Sequence, residues 1–167
     1  MSISNLRELF TYNLQDTHYA ETRIFETLPE MIEAAEHPEL KQALSAHRQE
    51  TRRQIERLNE VFEMLGRSPG DEECEAINGI LEEGEELLEE TEGTPMGDLG
   101  LIASGLAVEH YEIVRYRCLV NWASMLGLVD VAALLQESLL EEEATDRTLS
   151  TLAGELPVED PEVKAAI

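Results

Sequence analysis

The sequence predicts an all-α protein: four long helices in a bundle, with a fifth, shorter helix in the connection between the second and third. Three observations carry this. Apolar residues recur at the helical period through most of the 167 residues, and no alternating run of β-branched residues marks a strand. The connections between the long helical segments run short, long, short. Short connections make antiparallel hairpins of the first and second helices and of the third and fourth. The long one, of about thirty residues, can cross the full length of a bundle and lets the second and third helices run parallel.

Each element has its own signals. Ser4-Asn5 offers an N-cap, after which Leu6, Phe10, Leu14, Thr17, Glu21, Ile24 and Leu28 step along one face of the first helix. Pro29 falls inside that pattern, so a kink is expected there, with helix continuing to about residue 35. His37-Pro38 marks a turn. The second helix is predicted over 39–65, with Leu40, Ala43, Leu44, His47, Glu50, Gln54, Leu58, Val61 and Leu65 in period, and Gly66 stops it. Residues 71–91 are rich in acids, yet Cys74, Ile77, Ile80, Leu81, Leu87 and Leu88 form a one-sided stripe. That pattern predicts a surface helix of about five turns. Gly93-Thr94-Pro95 breaks the chain, and the third long helix is predicted over 96–126, with Leu99, Ile102, Leu106, Ile113 and Tyr116 on one face. The fourth begins near Val129, carries Val131, Leu135, Leu139, Glu142, Asp146, Leu149 and Leu152, and is expected to end at Gly154. Residues 1–154 therefore read as the bundle, and 155–167, with Pro157 and Pro161, as an acidic tail.

Charge narrows the function classes. Twelve basic residues stand against 36 acidic ones, a formal net charge of −24. Such a field repels nucleic acid and anionic membrane surfaces, so neither is an expected partner. The acids are spread through apolar-periodic segments, which describes solvated helix faces in a protein adapted to high salt and not a disordered acidic tail. The fold is accordingly expected to gain stability as salt screens self-repulsion. A melting temperature that stays flat from dilute buffer to molar KCl would remove the high-salt reading. Cys74 and Cys118 make no disulfide framework in a chain of this size. No basic and apolar leader opens the sequence and no apolar run approaches a membrane span, so a cytoplasmic location is expected.

Every long helix carries an acid inside its apolar stripe: Glu21 on the first, Glu50 on the second, Glu109 and Glu112 on the third, Glu142 and Asp146 on the fourth. All lie near mid-helix, so antiparallel pairing brings them to about one height. A lone buried carboxylate is costly unless protonated, paired or metal-bound. One acid per helix at one level is the arrangement of a di-metal site in a bundle core, where two divalent ions balance four to six carboxylates. Chance placement of so many acids is the competing reading, and the run Glu82–Glu92 is solvated surface. The site is preferred because the coincidence recurs on all four helices. Glu21 and Glu142 are expected as terminal ligands and Glu50 and Glu112 as bridges, with Fe or Mn as the two ions. His47 and His18 each precede a candidate acid by three residues and could ligate or orient a ligand. The other class left open is a metal-free helical interaction protein.

With these residues in hand, the chain resembles the YciE/YciF group of ferritin-like proteins over about residues 6–153. The likeness rests on Asp16-Thr17 with Ala20-Glu21, and on His47 with Glu50-Thr51, Gln54 and Arg57. It rests also on Val108-Glu109-His110-Tyr111-Glu112-Ile113, and on Glu141-Glu142 with Thr145-Asp146. The resemblance implies a ferritin-like four-helix bundle, a rubrerythrin-like metal centre, a homodimer and a link to stress responses. The usual Glu-x-x-His pairs of ferritin-like sites are absent: Glu50 is followed at i+3 by Arg53, and Glu143 by Asp146.

Overall fold

Five helices form in the predicted order in a computed structural model that describes residues 3–156: α1 (Leu6–Ala34), α2 (Pro38–Met64), α3 (Glu75–Thr91), α4 (Gly97–Met125) and α5 (Val129–Glu155). No strand occurs among the described residues, and the fold is the all-α, ferritin-like bundle the sequence predicts. The predicted tail lies almost wholly outside the described residues.

Local chemistry sets the helix ends. The Asn5 side chain accepts from the Glu8 amide at 3.0 Å, while the Glu8 carboxylate reaches back to the Ser4 amide at 2.8 Å. Pro38 begins α2, one residue before the predicted start, because its fixed φ suits the first helical position and it has no amide to leave unpaired. Gly66 and Gly127 take positive φ, and the Arg67 and Leu128 amides bond back to the Phe62 and Ala123 carbonyls at 3.0 and 2.9 Å. These left-handed stops end α2 and α4. The helix α1 runs on through Pro29 to Ala34. Helix α3 starts at Glu75, later than residue 71, after Gly70 in left-handed backbone and an extended Cys74. Gly154 does not stop α5, which continues for one more residue.

The four long helices close a ring in the order α1, α2, α5, α4, and α3 lies across α4 and α1. From Glu50 through Gln54 to Arg57, the α5 partners run Thr145, Glu142, Glu141 and Ser138, so α2 and α5 are antiparallel. With α4 and α5 a hairpin, α2 and α4 run parallel, as the long connection requires. Helix α4 packs on three neighbours, so it buries more than one stripe. Leu101 and Val108 are buried, whereas Leu99 and Leu106, expected on the inner face, are only half-buried. No helix among the described residues is long and apolar enough to cross a membrane.

The α1–α2 turn is tied to the start of α4. Both oxygens of Asp98 accept backbone amides, from Glu36 at 2.9 Å and His37 at 2.8 Å. Losing two charge-assisted bonds typically costs about 2 kcal/mol. Asp98→Ala should therefore lower the melting temperature by roughly 4–8 °C, and a variant melting like the wild type would show that the turn is held by other contacts.

The core is not continuous. One apolar cluster contains Ile24, Leu28, Leu40, Leu44, Leu101, Ile102 and Leu149. The other contains Phe10, Leu14, Leu58, Val61, Tyr116, Leu119 and Leu135. Every long helix carries buried polar residues where it passes from one cluster to the other: Thr17 and Glu21 on α1, His47, Thr51 and Gln54 on α2, Glu109 and Glu112 on α4, Glu142 and Thr145 on α5. A polar layer thus crosses the middle of the bundle, sealed above and below by aliphatic and aromatic side chains.

Candidate metal centre

Four helices supply this layer, and helical spacing aims the side chains. Glu109 and Glu112, three apart on α4, present two carboxyl groups from one face. His47 and Gln54 stand two turns apart on the inner face of α2, and Glu21 and Glu142 come from the centres of α1 and α5. One ligating atom from each of His47, Glu109, Glu112 and Glu142 lies within 4.8 Å of the others, and all four residues are buried. His47 Nε2 stands 3.3 Å from a Glu109 carboxylate oxygen. Glu21, wholly buried, faces Glu112 and accepts the Tyr116 hydroxyl. The Gln54 amide donates to Glu142.

The electrostatics are those of an unbalanced site. Among the described residues the only basic side chain within ion-pair distance of Glu21, Glu109, Glu112 or Glu142 is His47. Burial pushes the His47 imidazole down to about 4, so it is neutral at physiological pH and cancels no charge. The nearby guanidinium groups are engaged elsewhere. Arg57 holds Glu141 through two bonds of 2.7 and 2.8 Å, and Arg115 pairs with Asp16 at 2.9 Å. Burial, then repulsion from Glu142, raises the carboxyl groups of Glu21, Glu109 and Glu112 well above the usual range. Glu142 itself rises to about 7, again mainly through burial.

The predicted acids divide into two sets. Glu21, Glu109, Glu112 and Glu142 converge. Glu50 and Asp146 are half-buried at the rim, where Glu50 accepts from Thr145 at 3.3 Å and lies 3.8 Å from Arg53, and Asp146 meets the exposed His110 at 3.0 Å. His18 bonds Asn59 at 3.0 Å and packs edge-on against Phe62, a member of the cluster that holds Phe10 and Leu58. Three residues outside the predicted ligand set stand against these acids: His47 beside Glu109, Gln54 on Glu142 and Tyr116 on Glu21. Their positions carried a signal, since Gln54 follows His47 by seven residues and Tyr116 follows Glu112 by four, each on the face that buries an acid.

Residues 5–160 match DUF892, a domain of unknown function. The chain belongs to this family. The DUF892 chain is 38% identical to Protein YciF of Escherichia coli K12 over 154 residues, covering 92% of this chain and 93% of that one. It superposes on the crystal structure of the E. coli stress protein YciF with a TM-score of 0.86, at 38% identity, over 90% of this chain and 96% of that one. YcfI of Rhodopseudomonas palustris, described provisionally as a structural protein, aligns with the same TM-score at 41% identity and the same coverage. A Xanthomonas campestris protein shares the fold, with a TM-score of 0.71 at 23% identity over 98% of this chain and 95% of that one.

The donor set of this DUF892 member fits a metal. With the carboxylates ionised, one oxygen each of Glu21, Glu109 and Glu142, both oxygens of Glu112, Gln54 Oε1 and His47 Nδ1 are buried without a hydrogen-bond partner. Buried orphans on this scale are rare because each forfeits its solvation. Four carboxylates and a neutral imidazole are the hard-to-borderline donors that suit divalent Mn or Fe, and opposite ligands of a six-coordinate ion stand about 4 Å apart.

Proposed function

We propose that this chain is a ferritin-like metal carboxylate protein that holds a pair of divalent ions, iron or manganese, in the middle of its bundle. The observation that supports this best is the convergence of four uncompensated buried carboxylates and a neutral histidine between two apolar cores. The charge of four carboxylates, −4, is balanced by two divalent cations and by nothing else within the layer. Bound iron or manganese supplies one-electron redox chemistry, so oxidation of Fe(II) or removal of peroxide, in keeping with a stress role like that in YciF's description, is the chemistry open to such a site.

This chain's own residues do the rest. Tyr116 donates its hydroxyl hydrogen to Glu21, which keeps that carboxylate oriented. Gln54 fixes the rotamer of Glu142 through its amide. His47 offers a nitrogen that burial keeps unprotonated. The clusters above and below keep bulk water out, which strengthens every charge interaction within. A metal-free interaction protein would have to keep these four acids protonated, with Tyr116 and Gln54 as the side chains that donate to them.

The test is elemental analysis of protein purified without added metal, together with melting in chelator and in excess Fe(II) or Mn(II). Ligand at a hundred times its dissociation constant stabilises the native state by about 3 kcal/mol, which corresponds to roughly 5–10 °C here. Metal near two ions per chain, with a shift of that size, is expected. Metal-free protein with an unmoved melting temperature would end this reading.

A further inference from the structure

We propose that dioxygen reaches the buried centre through an apolar passage between α1, α3 and α4, a role that rests on the metal reading above. Two cavities abut there. The outer one, of about 30 Å³, is rimmed by Glu30 and Glu85, both exposed, and by Gly84 and Ser104. The inner one, of about 10 Å³, ends on His47 and Glu109. Thr27, Met31, Leu81 and Val108 line both, so the same side chains separate solvent from the centre and connect the two voids.

The lining selects the guest. Its two hydroxyls are already committed to helix backbone, Thr27 to the Arg23 carbonyl at 3.1 Å and Ser104 to the Gly100 carbonyl at 3.0 Å. A buried water needs two to four polar partners; the stretch walled by Met31, Leu81 and Val108 offers none and so takes apolar atoms, and unpartnered polar atoms occur only at its inner end, on His47 and Glu109. Glu30 and Glu85 at the mouth repel anions, and the bore excludes anything beyond a few atoms. What fits is a small, uncharged, apolar molecule, and dioxygen is the one with chemistry to do at a reduced metal pair. Close helix approach shapes the passage: a Cβ on Gly84 would stand 3.2 Å from Ser104 Cβ, and one on Gly105 3.0 Å from Leu149. The reaction balances when two Fe(II) ions lose one electron each and dioxygen takes both electrons with two protons, leaving as hydrogen peroxide.

Leu81, buried on the peripheral helix α3 and lining both cavities, is the residue to change. Crystals of the wild type under xenon pressure should show a xenon atom among Thr27, Met31, Leu81 and Val108. L81F should abolish it and slow dioxygen consumption on Fe(II) addition severalfold. L81A should raise xenon occupancy and leave that rate unchanged or faster. Both variants disturb α3 packing, so a merely structural effect would move both rates the same way and overturn the passage. Xenon missing from wild-type protein that binds metal would also sink the passage alone. Xenon in place in a protein that takes up no metal would sink the metal reading, and dioxygen delivery with it.

Discussion

Replacing Glu109 and Glu112 together by glutamine is expected to raise the melting temperature of the chelated protein and to abolish the shift produced by Fe(II) or Mn(II). Both carboxyl groups are buried, neither has a basic partner that carries charge, and both oxygens of Glu112 lack any donor. Glutamine keeps the shape, cannot ionise, and brings amide hydrogens to the Glu21 and Glu142 carboxyl groups beside them. Replacing buried ionisable groups by neutral side chains of similar volume is often neutral or stabilising, by up to about 1–4 kcal/mol. The metal-bound protein moves the other way, losing about 3 kcal/mol of ligand-dependent stability at saturating metal. Opposite signs in one variant cannot come from general damage to the fold. The matching change at the rim, Glu50 with Asp146, should leave the metal shift in place, because those carboxylates already have Thr145, Arg53 and His110 beside them. A Glu109 and Glu112 variant that binds metal as tightly as the wild type would move the centre off the inner face of α4.

The second large effect is in pH. Glu142 has a carboxyl raised from 4.5 to about 7 by burial, so the folded state holds its proton more tightly than the unfolded chain does. Stability from that group is complete below pH 4.5 and is lost as pH rises to 7, a fall of about 3 kcal/mol. His47 has the opposite sign. Its imidazole falls from 6.5 to about 4, so the unfolded chain takes up a proton first and stability rises between pH 4 and 6.5 by a similar amount. The two largely offset each other below pH 6.5. Above it only the carboxyl groups remain, with Glu21, Glu109 and Glu112 also raised well above the usual range by burial. The chelated protein should therefore melt progressively lower from pH 6.5 to 9. With saturating Mn(II) the slope should reverse, because metal competes with protons for the same ligands. Parallel slopes with and without metal would mean that these carboxylates are not where metal binds.

Much of this architecture is one-dimensional information. Five helices, their order and the parallel course of α2 and α4 follow from a 3.6-residue apolar period, glycine stops and the lengths of three connections. Those are properties of a chain segment and its reach, and they hold whatever the segment packs against. The glycines at 66 and 127 end helices by their own backbone freedom, and Asn5 caps α1 with a side chain three residues from its partner amide. Glu21, Glu109, Glu112 and Glu142 could be singled out as acids on apolar stripes for the same reason.

Which of those acids meet was settled only by the tertiary structure. A helical stripe spans a wide arc, and the rotation and axial offset of each helix are set by how its ridges seat between its neighbours. Glu50 and Asp146 lie on the same stripes as the others, yet a fraction of a turn carries them to the rim. His47, from the same helix as Glu50 and three residues earlier, is turned inward to within 3.3 Å of Glu109. Tyr116 read as one more apolar side chain until its hydroxyl met Glu21 across the bundle, and Leu106 gave way to Val108 because α3 covers a side of α4 that a one-stripe reading leaves open. Periodicity says which residues face inward; only the packed helices decide what they face.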